Sequence, residues 1–564
     1  MLNFARCSLL ALALASFGCV SGASPDSSSA GAASTGNPNG GSQPSGGSGS
    51  MGSAGTGVIP GSGAGGVTGA GGDGSRVGGG SLPGGGASGA FASGGSPAAI
   101  VVDPNDVVSD APLSMLKPAF MSATHPLKPH AVFGGHAAPL PTDAFWENMV
   151  LDSGDWLTNA FPYHVNAQAA GVALSRPEML TTSDKFCYES APIAVVLGAS
   201  EAFTSHTVAS WDPLSVTLKY SAASGSMSAP IVYGMAYGTG LYDGVTPKIS
   251  VPVGLGSVNG VAAGSAQGIR FDLALNNGQK WILYASESAS VTWSSNALTF
   301  AAPLKGWVRV ALQTTAVTAA VLDQHASAIP TGGALRLSAT GDTGVVEFSW
   351  TKQGTGDILA FALPHQLDHL AEPNLVTTGF ASVRGQIRGV SGDLWQLQYP
   401  LSPALRAAPR AVDPAHKDAI VAALNGDKGA QPNAGDSYDF GKQVGRAAQL
   451  LLIAEAIGEK ASADQLRGAI ESSLGQWLDG GGPDALRYDE TYGGVVTSKG
   501  LGGSGNDYGN GWYNDHHFHY GYFIYAAGAV AKGDPTWAAK YKEPVLALIR
   551  DIANPSATDP YFTQ

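Results

Sequence analysis

Between about residues 115 and 350 the chain alternates apolar and polar positions in short runs bounded by Gly, Pro, Ser and Asn. Ser215-Val216-Thr217-Leu218-Lys219-Tyr220, Trp281-Ile282-Leu283-Tyr284, Gly306-Trp307-Val308-Arg309-Val310 and Val345-Val346-Glu347-Phe348-Ser349-Trp350 are such runs. A period of two puts one face of a strand in a core and the other in water. Many short strands with few helical stretches predict an antiparallel β-sandwich over 115–350. Trp146, Trp211 and Trp307 are candidates for a cleft wall, although core packing is the commoner fate of a strand tryptophan. Residues 351–410 are mixed and proline-bearing and are expected to form a small α/β connecting domain.

After residue 410 the period becomes helical. Asp413-Pro414, a cap followed by proline, leads into Ala419, Ile420, Ala423 and Leu424. A second helix is expected from Gly441 to Ile457, carrying Val444, Ala448, Leu451 and Leu452. A third opens on a Ser462 to Gln465 capping box and buries Leu466, Ile470, Leu474 and Trp477. A fourth starts at Asp515, and a fifth at Asp534-Pro535, kinked or interrupted at Pro544. The pattern as a whole defines an α+β multidomain chain whose residues 411–564 are helical.

The N-terminal fifth has neither period. Residues 1–19 read as an export signal, with Arg6 ahead of Leu9, Leu10, Leu12 and Leu14. Ser16-Phe17-Gly18-Cys19 resembles a lipoprotein cleavage box with Cys19 as the acylated residue, although Ser16 stands where leucine is usual. Cleavage after Ala13-Leu14-Ala15 is the rival reading. Residues 20–98 are almost wholly Gly, Ser, Ala, Pro and Thr, too poor in large apolar side chains to offset ordering entropy, and are expected to be a disordered tether.

Composition narrows the class. The 78 glycines and 13% charged residues in 564 suit an exported, β-rich, linker-bearing protein, secreted or held at a bacterial envelope. A net charge of −13 argues against nucleic acid and anionic membrane as partners; a neutral polymer fits better. Of three cysteines, Cys7 and Cys19 lie in the leader, so Cys187 has no internal disulfide partner. It reads as an ordinary buried thiol.

Chemistry concentrates in Asn506-Asp507-Tyr508-Gly509-Asn510-Gly511-Trp512-Tyr513-Asn514-Asp515-His516-His517-Phe518-His519-Tyr520. Carboxylates, histidines and aromatics behind a glycine-broken loop are the mixture that sugar clefts use. Asp515 and His519, at i and i+4, are expected to share a helix face. His516, Trp512, Tyr513 and Tyr492 are candidates to contact sugar. Asp489, in Tyr488-Asp489-Glu490-Thr491-Tyr492, is read as substrate-binding or loop-ordering. Asp436 and Lys442 are further cleft candidates, with a plain helix cap the equal alternative for Asp436. His516 and His519 at i and i+3 invite a metal reading, but no further ligand set stands nearby, so neither a metal nor another cofactor is expected.

This stretch resembles the corresponding segment of glycoside hydrolase family 81, the endo-β-1,3-glucanases. The resemblance continues through Pro139-Leu140-Pro141-Thr142-Asp143, Gly225-Ser226-Met227-Ser228-Ala229-Pro230, Ala362-Leu363-Pro364-His365, Arg384-Gly385-Gln386, Tyr488 to Gly494 and Asp551-Ile552-Ala553-Asn554-Pro555. It implies an inverting β-1,3-glucan hydrolase with Asp515 as general acid and His519 supporting the site. It also implies a six-hairpin α/α toroid. The general base is implied to come from a glutamate pair on a later helix, so the chain is expected to be cut short, with an incomplete toroid. A monomer is expected. The alternative from another class is a tethered or degenerate glucan-binding module.

Overall fold

The computed structural model describes residues 110–563 except 151–156, 178, 182–185, 189–190, 341–342, 384 and 401–410. The export signal, Cys19 and the Gly/Ser-rich tether lie outside the described residues, as does the side chain of Cys187. No described helix is long and apolar enough to cross a membrane.

The alternating runs form strands as their period requires. In Ser215–Ala222, Val216, Leu218 and Tyr220 are fully buried while Lys219 faces water. Each fully buried aliphatic side chain contributes about 1.5–3 kcal/mol. The strands join into one fourteen-stranded antiparallel sheet, from Leu157–Asn159 at one edge to Ser205–Asp212 at the other. Accumulated strand twist cannot leave so wide a sheet flat, so it curls. Leu255–Val258 and Gly264–Leu275 branch from Lys280–Ser294.

Two three-stranded sheets and the two-stranded pairing of Met179–Thr181 with Phe186–Tyr188 complete this half. Leu394–Pro400 pairs with Thr343–Gly354, which pairs with Ala328–Thr340, so hydrogen bonding runs across the expected boundary at residue 350. Leu359–Ala362, Gly385–Ser391 and Leu375–Ser382 form the other. The connecting stretch is thus mainly strand, with one short helix at Pro364–Leu367.

The C-terminal part is helical and has its own apolar core. Its helices are Lys417–Asp427, Ser437–Ile457, Lys460–Leu478, His516–Ala531 and Pro535–Ala553. Asp413, Asp436 and Asp534 each cap a helix start through the side chain. The expected capping box is absent: the third helix begins two residues earlier, and Ser462 Oγ instead accepts from Lys428 Nζ at 3.1 Å. Pro544 lies inside Pro535–Ala553 without ending it.

A small sheet binds the chain's halves to the site. Met121–Ala123 pairs in parallel with Leu486–Asp489, which pairs antiparallel with Gly494–Thr497. Buried Arg550 fixes the same region, donating bidentately to Asp559 at 2.6 and 2.7 Å and to Leu116 O at 2.9 Å. Planar two-point pairing of this kind sets orientation as well as attraction.

Candidate active site

Asn506 to Asp515 form a tight loop with an uncommon backbone. Asp507, Tyr508 and Gly509 are consecutive left-handed residues at φ 45°, 53° and 88°, and Tyr513 and Asp515 follow at 60° and 53°. Each non-glycine residue in this region costs on the order of 1 kcal/mol or more, and such strain persists only where surroundings over-determine it. Gly511 answers a second constraint, close approach: a Cβ there would stand 2.2 Å from the Gly500 backbone.

Buried polar contacts supply that over-determination. Asp507 accepts from Ser437 N at 3.0 Å, Ser437 Oγ at 2.6 Å and Thr497 Oγ1 at 2.8 Å. Asn510, fully buried, accepts from Thr497 N at 2.7 Å and donates to Tyr520 Oη at 2.9 Å. His125 Nε2 donates to Gly511 O, and Tyr513 Oη donates to Asp489 Oδ2 at 2.8 Å.

His516 is the hub of this bracing. Its Nε2 faces Asn510 O and its Nδ1 faces Asp551 Oδ2, both at 2.7 Å. Both partners are acceptors, so both ring nitrogens donate and the ring is an imidazolium. Burial works against that charge, yet the Asp551 carboxylate and the hydrogen bonds hold the pKa above the ordinary histidine value. Asp551 also accepts from Val495 N at 2.7 Å. With no polar atom left over, His516 is corrected from sugar contact to loop brace.

His519 is fully buried; its backbone N donates to Asp515 O at 3.1 Å, but no hydrogen bond joins the two side chains among the described residues. Its Nδ1 lies 2.6 Å from Ser437 Oγ. Ser437 has one hydroxyl hydrogen; with Asp507 ionised it goes to Asp507, so Nδ1–H donates to Ser437 and Nε2 carries the lone pair. Nε2 has no partner among the described residues. Burial, then the charges of His516 and His517, push the His519 pKa down to about 3, so the ring is neutral. Burial raises Asp507, against the pull of the Ser437 and Thr497 hydroxyls.

Asp515 is treated differently from these. It is half-buried, immediately precedes His516–Ala531, and its carboxyl has no hydrogen-bond partner among the described residues. An aspartate there ordinarily takes an extended conformation and caps the helix. The left-handed backbone withholds the side chain from the free N–H groups, leaving the carboxyl uncommitted at the positive end of a helix. Beside it Trp512 and Tyr513 are half-buried.

The other candidates separate. Tyr492 is buried, its hydroxyl donates to Leu127 O at 3.1 Å and its ring packs edge-on to His125, so it is corrected from sugar platform to core. Asp489, fully buried, accepts from Thr491 N and Tyr513 Oη, both at 2.8 Å, and orders the loop. Burial raises its pKa despite those bonds. Asp436 accepts from Asp439 N at 2.7 Å and is a cap. Lys442 pairs with Asp439 at 2.6 Å and lies 4.4 Å from the centre of the Tyr438 ring, which meets the Tyr508 ring at 4.7 Å. Tyr508 is 55% exposed, so this cluster, not Tyr492, offers an aromatic surface.

Two carboxyls escaped the sequence reading. Asp143 is exposed, and dehydration by the protein around it with the nearby Asp551 charge pushes it up to about 6. Half-buried Glu147 is pushed up to about 8 by burial and by Asp143. Perturbed carboxyls of this kind gather at functional sites. Asp143 ended a motif already singled out; nothing local marked Glu147.

The curled antiparallel sheet and the helices that present the braced Asp515 can be set beside known proteins. The chain belongs to glycoside hydrolase family 81: the family's N-terminal domain matches residues 125–410 and its C-terminal domain residues 411–564. A soybean (Glycine max) protein named glucan endo-1,3-beta-D-glucosidase is 30% identical over 437 residues, covering 74% of this chain and 64% of that one. The Schizosaccharomyces pombe primary septum glucan endo-1,3-beta-D-glucosidase is 28% identical, covering 81% of this chain and 49% of its own. The chain thus spans about half to two thirds of the length of these curated relatives. A solved glycoside hydrolase family 81 structure from Clostridium thermocellum superposes with a TM-score of 0.65 at 22% identity, over 80% of this chain and 65% of that one, and shows the shared fold.

Proposed function

We propose that the chain is an endo-acting β-1,3-glucan hydrolase of the inverting type, with Asp515 donating a proton to the leaving oxygen. The observation that carries this reading is the uncommitted, half-buried Asp515 carboxyl on a strained loop braced by the buried contacts of Asp507, Asn510 and His516. A general acid must be free to reach the glycosidic oxygen and be held in one place, and this geometry does both. Trp512, Tyr508 and Tyr438 offer rings to the apolar faces of glucose. Inversion requires a second carboxylate roughly 6.5–9.5 Å from the acid to activate water. Family resemblance assigns that base to a glutamate pair on a later helix. His519 acts through Ser437 and Asp507 on the loop rather than on the sugar.

The wider setting is part of the same proposal. The curled sheet closes on itself as a sandwich, and the helices belong to an α/α toroid. The leader exports the chain, Cys19 carries a lipid, and residues 20–98 hold the catalytic part off the envelope as a monomer acting on laminarin- or curdlan-type glucan.

The test is reducing-end release from laminarin and curdlan, with the anomer of the first product read by NMR. Asp515→Asn should lower turnover by about 10²–10⁴-fold with glucan affinity retained. Near-normal turnover in that variant removes the acid assignment. Glucan binding without turnover in the unaltered chain supports the binding-module reading instead. Incorporation of labelled palmitate that disappears in Cys19→Ala tests the anchor.

A further inference from the structure

Tyr508 combines two features that fold stability alone does not explain. Its backbone is left-handed at φ 53°, and its ring is nevertheless 55% exposed. The neighbouring Asp507 offsets the same kind of strain with buried hydrogen bonds to Ser437 and Thr497. An open aromatic ring recovers little by burial, and strained residues of this kind gather at ligand sites.

The first turn of Ser437–Ile457 fixes where the ring lies. Tyr438 meets it at 4.7 Å between ring centres, and Tyr508 Oη donates to Asp439 Oδ2 at 3.3 Å. Asp439 also accepts from Lys442 Nζ at 2.6 Å, and Nζ lies 4.4 Å from the centre of the Tyr438 ring. That shared contact pushes Asp439 below and Lys442 above the ordinary values, so both are charged at neutral pH. An exposed pair of this kind adds little to stability. Lys442 keeps further N–H groups and Asp439 further lone pairs, on side chains 47% and 39% exposed. Two links tie the cluster to the acid. Asn514, next to Asp515 in the chain, donates through Nδ2 to Tyr508 O at 3.2 Å, and the Tyr438 ring lies 5.4 Å from that of His519, one helical turn beyond Asp515.

We propose that Tyr508, rimmed by Asp439 and Lys442, is a secondary glucose subsite beside the reacting bond, one that makes glucan affinity depend on chain length. The proposal rests on the glucan-hydrolase reading above. The exposed ring takes the apolar face of one glucose, and Tyr438 supports that ring from the helix. A sugar hydroxyl both donates and accepts, and the rim supplies both complements, Lys442 as donor and Asp439 as acceptor. A charged ligand would meet repulsion from one member of the pair, so the rim suits a neutral sugar.

Isothermal titration of the full 564-residue chain carrying Asp515→Asn, in which turnover is slowed, with laminaritriose and laminarihexaose tests this. Affinity should rise from the trimer to the hexamer. Adding Tyr508→Ala should weaken the hexamer by about fivefold, the scale of one aromatic contact, and erase that rise, whereas Tyr508→Phe should keep it. Lys442→Met should weaken the hexamer by about tenfold, the scale of one charged hydrogen bond. Tyr508 and Lys442 are exposed, so thermal unfolding of all three variants should match that of the parent. The subsite falls if the hexamer binds no tighter than the trimer, if Tyr508→Ala leaves hexamer affinity unchanged or weakens both sugars equally, or if Tyr508→Phe loses as much as Tyr508→Ala. In each of those outcomes the parent still binds glucan and the hydrolase reading stands. A parent chain that binds neither sugar removes the glucan reading and the subsite with it.

Discussion

His516 and Asp551, 35 residues apart in sequence, form a 2.7 Å ion pair that both occupants keep almost wholly from water. The other nitrogen of His516 is committed to Asn510, so the pair anchors the loop that carries Asp515 to the last described helix. Breaking a buried pair from one side leaves an uncompensated charge. Asp551→Ala should therefore cost about 3–5 kcal/mol, read as a shift in the urea midpoint, and His516→Gln should recover part of that loss when combined with it. Additive losses would mean that the two side chains are energetically independent.

The strands were legible because each answers a local question, which face is wet, and Val216, Leu218 and Tyr220 answer it unambiguously. The Asp515 helix was legible for the same reason. The left-handed turn before it was not: Gly509 signals positive φ, but Asp507 and Tyr508 adopt it only because Ser437 and Thr497 hold the Asp507 carboxylate. Tyr492 and His516 looked like sugar contacts because sequence shows an aromatic or an imidazole but not what covers it. Leu127 and Asp551, distant in the chain, decided both.

Two histidines should shape the pH dependence of stability in opposite directions. His519, depressed to about 3, stays neutral in the fold while the unfolded chain takes up a proton below about pH 6.5. Stability should fall by about 1.4 kcal/mol per pH unit from there down to about pH 3 on this account. His516 is raised, so its contribution is complete below the unfolded pKa and is lost as pH rises through the folded one. Denaturation curves across pH 4–9 measure both limbs, and His519→Phe should flatten the acid one alone.

Glu147 carries the reverse sign from an ordinary paired carboxylate. Raised to about 8, its ionised form opposes folding, so stability from its protonated form is present below the unfolded pKa and lost as pH rises toward 8. Glu147→Gln should then stabilise the chain at pH 8 and change little near pH 4. A lower melting temperature in Glu147→Gln at pH 8 would show that the carboxylate is held by a favourable partner.

The strained turn should matter more to turnover than to folding. Gly509 sits at φ 88°, and a Cβ added there would stand 2.9 Å from the Asn514 Cβ, next to Asp515 in the chain. Gly509→Ala therefore has to push Asn514 outward or relax the turn, at a cost of about 1–3 kcal/mol. The apolar cores on either side do not depend on that atom, so the variant should fold with a lowered melting temperature. The loop it displaces is the one that aims Asp515, and a misplacement of about 1 Å at a reacting group costs about 10²-fold in rate. Laminarin kinetics should accordingly show kcat reduced by about that factor, and because Asn514 also donates to Tyr508 O at 3.2 Å, KM should rise alongside it where the Tyr508 ring meets the polymer as proposed. A variant with full kcat would separate the strain of this turn from the placement of Asp515.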